Sequence, residues 1–276
     1  MSKKVLLSRG LFLTLLLIVA LFSGVKFLEN DKIKQQAQEL QSQKIIVETQ
    51  LDITLGQSLI VGIPEKTLSE NTKSFLRKIK PAGIILYYRN YENTEQLKKL
   101  IGELQYIAKE TTGYAYFIMI DEEPGGATRL NLFKNVFESG APDWGRIEQD
   151  IKEMSRIGIN VVLAPLADFP FNDNSFIKER LPAHTTKALT EFNKKFIVLL
   201  QENGISATLK HFPGMGVFVD DPHVRLPHTD DDKKTIDESI ELFKSGIDGG
   251  SHFVMTGHAV YDAIDPNTPT TLSRKI

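Results

Sequence analysis

The segment at residues 210–227 holds residues whose types and spacing suit general acid/base catalysis. Asp221 and His223 lie two positions apart in it, with Pro222 between them. Proline disfavours the helical region for the residue before it, so we expect Asp221 to be extended. Side chains at i and i+2 of an extended segment project to the same side, so the carboxylate can orient the imidazole. The pair therefore predicts His223 as a general acid/base oriented by Asp221.

The same segment also admits a purely structural interpretation. Lys210 and His211 follow an apolar run at residues 205–209, and Pro213 and two glycines come next, which predicts an irregular loop at a strand end. Each of these residues, taken singly, is typical of an exposed turn. Their combination at this spacing favours a functional loop.

Apolar runs alternate with helical patterns from residue 58 onward, which is typical of a parallel sheet built from βα units. The predicted strands are 58–62, 83–87, 114–120, 160–164, 205–209 and 252–256. The predicted helices are 69–80, 94–110, 142–157, 183–202 and 235–247. Fully apolar strands indicate a sheet covered on both faces, as in a barrel or a doubly wound sheet. No GxGxxG or Walker loop opens a helix, which disfavours a nucleotide fold. Polar residues recur just after the strands, which favours a (β/α)8 TIM-type barrel.

Composition and charge exclude several classes of function. The chain is 41% hydrophobic and 25% charged, which is ordinary for a globular protein, and its formal net charge of −2 gives no support to nucleic-acid binding. It has no cysteine, which excludes disulfides, thiolate zinc sites, a cysteine nucleophile and a lipoprotein anchor.

The N-terminus has the pattern of an export signal. A basic segment precedes an uncharged apolar run at residues 10–25, which predicts that the rest of the chain lies on the outer side of the membrane. No clean cleavage site follows, which favours an uncleaved anchor over a removed signal peptide. We predict a signal peptide or signal anchor at 1–28, a polar helical spacer at 29–50 and the main domain at 51–276. The protein is then extracytoplasmic, either membrane-anchored through its N-terminal helix or secreted.

Residues 210–227, KHFPGMGVFVDDPHVRLP, resemble the signature of glycoside hydrolase family 3 in its β-N-acetylglucosaminidase branch. Members there carry Lys-His-Phe-Pro-Gly-His-Gly-Asp, then a short run, then Asp-Ser/Thr-His with Leu-Pro shortly after. Met215, Val217 and Pro222 stand where the family usually has His, Asp, and Ser or Thr. Residues 120–130, IDEEPGGATRL, are similar to the family's Val-Asp-Gln-Glu-Gly-Gly-Arg-Val-Gln-Arg-Leu, with Pro124 and Gly126 as departures.

The resemblance implies a β-N-acetylhexosaminidase that releases terminal N-acetylglucosamine from cell-wall or related glycans with retention, without a cofactor or metal. It implies that Asp121, Arg180, Lys210 and His211 bind the amino-sugar substrate. These side chains also have the right chemistry, because carboxylates accept hydrogen bonds from sugar hydroxyls while Arg and Lys donate charge-assisted ones. For Asp168 and His258, a role in the site and a loop-capping role are equally open.

The family's nucleophile is an Asp at the end of the seventh strand. The sequence stops at Ile276, before any such strand, so we expect a barrel truncated after its sixth strand and predict no nucleophile in this chain.

Two other functions stay open. A non-catalytic sugar-binding or scaffold derivative of the family would explain the absent nucleophile and the departures named above. A metal-dependent barrel hydrolase is suggested by five of the six histidines falling between His211 and His258, although no HxH or HExxH pair occurs among them.

Overall fold

The computed structural model describes residues 32, 34–46, 54–230 and 233–276. The chain divides into two compact units, Met1–Leu55 and Gly56–Ile276. In the first unit, residues 34–46 form helix α1, and every residue of that helix is exposed. The signal or anchor predicted at residues 1–28 lies outside the described residues. Among the helices of the described part, none is both long and apolar enough to cross a membrane.

The second unit is an α/β fold, as predicted. Its strands are β1 (Ile60–Gly62), β2 (Gly83–Leu86), β3 (Phe117–Ile120), β4 (Val161–Val162), β5 (Ser206–Phe212), β6 (His228–Thr229), β7 (Phe253–Thr256) and β8 (Val260–Tyr261). Six of them form one parallel sheet in the order β1-β2-β3-β4-β5-β7, which curls into half of a barrel. The α/β prediction and the six predicted strands are confirmed.

Helices follow the strands along the chain: α2 (Glu70–Ile79), α3 (Thr94–Thr112), α4 (Trp144–Ile157), α5 (Thr186–Glu202) and α6 (Lys233–Asp248). Four of them begin after a polar N-cap whose side chain accepts a hydrogen bond from a backbone N–H of the first turn; these caps are Ser69, Asn93, Asp143 and Thr185. The sequence therefore sets where these helices start.

The main core lies between the helices and the outer face of the sheet. On β3, Ile118 and Ile120 belong to this core, whereas Met119 lies in a separate cluster with Val161 and Leu163. Because successive strand residues point to opposite faces, this second cluster marks the inner face of the curled sheet.

Strand β5 is longer than predicted. The sequence pattern ends it at residue 209, but it continues through Lys210 and His211 to Phe212. The reason is pairing with β7, which matches Lys210 to Met255 and, after a register shift, Phe212 to Thr256. Ala207 and Leu209 belong to the main core, so alternation puts Lys210 on the inner face of the sheet.

A small parallel pair, β6 with β8, follows the segment that carries Asp221 and His223. A local apolar cluster holds the base of that segment, where the ring of Phe218 packs edge-on against Tyr261 with centroids 5.2 Å apart. The Tyr261 hydroxyl also donates to the Gly214 carbonyl. The segment is thus fixed at its start and end, while Val219 and Val224 between them are exposed.

Candidate active site

A cavity of about 530 Å³ opens at the carboxyl ends of the strands. Five of the six predicted site residues line it, and the sixth, Asp221, contacts one of the five. The charged and imidazole side chains in its wall are Asp121, Glu123, Arg129, Arg180, Lys210, His211, His223 and His258. A larger cleft of about 760 Å³ lies beside α4 and α5 around Trp144, but none of the predicted site residues lines it.

Lys210 is the centre of the site. Its side chain is only 3% exposed, and its Nζ lies 2.7 Å from Asp121 Oδ1 and 2.6 Å from Glu123 Oε1. Asp121 follows directly after β3, and its Oδ2 accepts a bond of 3.3 Å from Arg129. Because the ends of β3 and β5 meet at one edge of the sheet, residues 89 positions apart become an ion pair.

Glu123 was missed by the sequence analysis as a site residue. It is buried and receives two bonds from the Arg180 guanidinium, 2.7 Å from Nη2 to Oε1 and 3.2 Å from Nε to Oε2. Burial alone would raise the pKa of Glu123, but Lys210 and Arg180 outweigh it and lower that pKa to about 2. Its position within the motif at 120–130 could have indicated a site residue, but its partners, Lys210 and Arg180, are distant in sequence.

Asp168 orients His211. The carboxylate is fully buried, and its Oδ2 lies 2.7 Å from His211 Nδ1. The backbone N–H groups of His211 and Met215 donate to the same carboxylate. A proton on Nδ1 satisfies this contact, which leaves Nε2 to the cavity. Of the two roles left open for Asp168, a role in the site is the one favoured by its contacts, because they position His211 in the cavity wall.

Asp221 and His223 form a second aspartate–histidine pair on the same cavity. Asp221 Oδ1 lies 2.6 Å from His223 Nδ1 and accepts a 2.8 Å bond from the His223 backbone N–H. That backbone bond is the main cause that lowers the pKa of Asp221, with further contributions from the His223 ring and the charge of Arg180. The His223 side chain is 76% exposed, which contrasts with the buried pair at Asp168.

Glu122 organises the loop that follows β3. This fully buried carboxylate accepts three backbone N–H bonds, from Arg129, Leu130 and Leu132, at 2.7 to 2.9 Å. It thereby folds residues 122–132 into a closed loop. The loop presents Asp121, Glu123 and Arg129 to one cavity.

Two positions that depart from the family signature have packing consequences. At Gly126, a Cβ would lie 2.1 Å from Glu123 Oε2, so this backbone position excludes a side chain while Glu123 keeps its place. Met215 is buried in the cavity wall, and a Cβ on Gly257 would lie 2.8 Å from its sulfur. The thioether therefore fills space next to His211 and offers only a weak hydrogen-bond acceptor.

His258 lies at the cavity rim, where its Nδ1 is 2.8 Å from the hydroxyl of Thr271. Within residues 54–230 and 233–276 and the helix before them, no group of three or more His, Asp or Glu residues could hold a metal ion. The alternative of a metal-dependent hydrolase therefore has no ligand set in the described part of the chain.

The sequence model of the glycosyl hydrolase family 3 N terminal domain matches residues 33–276. The chain belongs to glycosyl hydrolase family 3. The family resemblance deduced from residues 210–227 and 120–130 is therefore confirmed.

Several proteins similar to this chain are hexosaminidases. A β-hexosaminidase of Xanthomonas campestris pv. campestris is 27% identical over 236 residues, which are 79% of this chain and 69% of the relative. The structure of a family 3 β-N-acetylglucosaminidase from Paenibacillus sp. str. FPU-7 is 28% identical with a TM-score of 0.73, over 81% of this chain and 45% of that one. A β-N-acetylhexosaminidase from Beutenbergia cavernae is 26% identical with a TM-score of 0.68, over 82% and 72% of the two chains.

These relatives are glycosidases, which agrees with the predicted class of enzyme. The chain spans less than half the length of the Paenibacillus structure that it matches.

Proposed function

We propose that this chain supplies the sugar-binding and acid/base residues of a retaining β-N-acetylhexosaminidase that releases terminal β-linked N-acetylglucosamine from cell-wall or related glycans. The observation that carries the proposal is the meeting of two groups at one cavity. One is the network of Asp121, Lys210 and Arg180, in which the lysine is buried, and the other is the exposed pair Asp221–His223. The membership in family 3 and the hexosaminidase relatives support the same reaction.

The sugar-binding role follows from the hydrogen-bonding capacity left in the network. Asp121 has one contact on each oxygen and is partly exposed, so it can accept a bond from a sugar hydroxyl. Lys210 uses two of its three N–H groups on carboxylates, which leaves one as a donor. Arg180 and His211 add further donor and acceptor groups at the same cavity.

In the proposed mechanism, His223 protonates the glycosidic oxygen as the bond to the leaving group breaks. It then removes a proton from the water that releases the sugar from a covalent intermediate. Asp221 remains ionised because its pKa lies below the usual range, so it can stabilise the imidazolium form of His223. We assign the nucleophile to none of the described residues; the family resemblance attributes it to an Asp after a seventh barrel strand.

Two finer predictions accompany this function. The curled sheet of six parallel strands supports the inference that these strands are part of an eight-stranded barrel. The basic and apolar pattern at the N-terminus supports an extracytoplasmic location, anchored or secreted.

The acid role of His223 predicts a dependence on the leaving group. In the full-length protein, His223→Ala should lower the hydrolysis of N-acetylglucosamine disaccharides by about 10²–10⁴-fold, because a poor leaving group needs protonation. Hydrolysis of the 2,4-dinitrophenyl glycoside should fall far less, because dinitrophenolate departs without a proton. The kcat/KM values for both substrates check this outcome, because kcat/KM reports the cleavage of the glycosidic bond and not the later hydrolysis of the intermediate.

His258→Ala is the matched control, since it removes an imidazole from the same cavity. It should affect both substrates by a similar factor. An equal loss on both substrates in His223→Ala would contradict the acid role. Binding of N-acetylglucosamine without turnover of either substrate by the wild type would replace the proposal with the sugar-binding alternative.

A further inference from the structure

Two adjacent glutamates in the loop after β3 are both buried, yet they bind different kinds of partner. Glu122 accepts hydrogen bonds from three backbone N–H groups of its own loop. Glu123 instead pairs with two cations from other parts of the chain, Lys210 on β5 and Arg180 in the turn before α5. The second arrangement joins separate elements around the cavity.

The oxygens of Glu123 are fully used by the protein. Oε1 receives Lys210 Nζ at 2.6 Å and Arg180 Nη2 at 2.7 Å. Oε2 receives Arg180 Nε at 3.2 Å and the Ala127 backbone N–H at 2.8 Å. A carboxylate has about four acceptor positions, so no position is left for a substrate hydroxyl. With four donors and a side chain 2% exposed, Glu123 is also unsuited to act as an acid or a nucleophile.

We propose that Glu123 is a positioning residue that fixes the Lys210 ammonium and the Arg180 guanidinium as hydrogen-bond donors for the bound sugar. The inference rests on the proposed function, because it gives these two cations a ligand. Glu123 contributes both a charge and a geometry: its two oxygens match the fork of the guanidinium, and one of them also reaches the ammonium.

The charges along the cavity wall explain why a neutral side chain cannot replace Glu123. Arg129, Asp121, Lys210, Glu123 and Arg180 alternate in sign, and each neighbouring pair is in contact. Removing the charge of Glu123 leaves two neighbouring cations with Asp121 as the only carboxylate of this row. Breaking a buried pair in this way leaves an uncompensated charge, which favours movement of the cations toward water.

Glu123 also affects the acid/base pair, Asp221 and His223, through Arg180. The positive charge of Arg180 contributes to the lowered pKa of Asp221. Arg180 is held toward the cavity by Glu123, so displacement of the guanidinium would act on both sugar binding and the Asp221–His223 pair. A carboxylate that touches no substrate can therefore influence both steps.

The test compares N-acetylglucosamine binding, measured by isothermal titration calorimetry, with the kinetics of the full-length protein. Glu123→Gln should weaken N-acetylglucosamine binding at least tenfold and raise KM more than it lowers kcat. Glu123→Asp keeps the charge on a shorter side chain and should recover part of the loss, to within about threefold to tenfold of the wild type. If Glu123→Gln does not fold, the test rests on Glu123→Asp, whose N-acetylglucosamine affinity should still be threefold to tenfold below that of the wild type.

Asp265→Asn is the control for placing an amide at a buried, ion-paired carboxylate away from the cavity, because Asp265 contacts Ser273 and Lys275 and does not line the cavity. It should lower the thermal midpoint of unfolding, as Glu123→Gln does, but change N-acetylglucosamine affinity by less than threefold. Equal affinity losses in the two variants would indicate a merely structural role for Glu123 and overturn the inference, as would wild-type binding by Glu123→Gln.

Lys210→Ala separates this inference from the proposed function. If Lys210→Ala loses binding while Glu123→Gln retains it, the positioning role is wrong and the sugar site stands. If Lys210→Ala binds N-acetylglucosamine like the wild type, the sugar site itself is wrong, and the inference falls with it.

Discussion

At the scale of single residues, the two aspartate–histidine pairs on one cavity differ in burial. Asp168 is fully buried and holds a histidine ring and two backbone N–H groups, whereas Asp221 is 45% exposed and holds one histidine. We therefore expect Asp168→Asn to lower the free energy of unfolding by about 3 kcal/mol, because it weakens several buried charge-assisted bonds. Asp221→Asn should lower the free energy of unfolding by less than about 1 kcal/mol, since water screens and replaces the contacts of Asp221.

Urea denaturation of both variants measures this difference. An equal stability for the two variants would contradict the contrast drawn from burial. In kinetics, Asp221→Asn should share the leaving-group dependence of His223→Ala. Asp168→Asn should lower the hydrolysis of all substrates by a similar factor, because it releases His211 from its position.

At the scale of elements, the spacing between strands depends on a glycine. A Cβ at Gly83 on β2 would lie 2.4 Å from the Phe117 carbonyl oxygen on β3, so Gly83→Ala must push the two strands apart. Gly102 in α3 has open space at its Cβ position, with no described atom within 4 Å. Gly83→Ala should destabilise the fold by about 1–3 kcal/mol, whereas Gly102→Ala should stabilise it by up to about 1 kcal/mol.

Thermal unfolding of the two alanine variants provides the comparison, since both substitutions add the same methyl group. A stability for Gly83→Ala at or above that of the wild type would mean that β2 and β3 do not pair in the described register.

At the scale of the whole molecule, the buried network makes stability depend on pH. The folded pKa of Glu123, about 2, lies below the ordinary value of 4.5, so the ionised carboxylate stabilises the fold above pH 4.5. This contribution, about 3 kcal/mol, is lost as the pH falls from 4.5 through 2. Glu123→Gln should therefore show a shallower loss of unfolding free energy between pH 5 and pH 2 than the wild type.

Urea titrations at several pH values in that range measure the slope. Glu148→Gln is the control, because Glu148 pairs with Lys152 on the exposed surface of α4, where solvent screens the charges. Lys152 lowers the pKa of Glu148 as well, but water screens this pair, so Glu148→Gln should change the slope far less than Glu123→Gln. A wild-type slope in Glu123→Gln would mean that Glu123 is not the carboxylate responsible.

The amino-acid sequence by itself determined the local elements and the chemistry at strand ends. The apolar runs and the helical patterns between them predicted the strands and the helices because both depend on neighbours in sequence. The contact predicted between Asp221 and His223 is present at 2.6 Å, but it forms in a turn closed by the Val224 N–H on the Asp221 carbonyl and not in the extended segment that the proline suggested. The family membership also followed from short stretches of sequence, and the match to residues 33–276 confirms it.

Only the tertiary structure decided which charged groups meet. The sequence pattern indicates no partner for Glu123, whose bonds reach Arg180, 57 residues away, and Lys210 on another strand. It left Asp168 between two roles, and the end of β5 was placed too early because pairing with β7 extends it. The physical reason is common to these cases: burial and ion pairing are set by residues far apart in the chain, which the packing of parallel strands brings to one edge of the sheet.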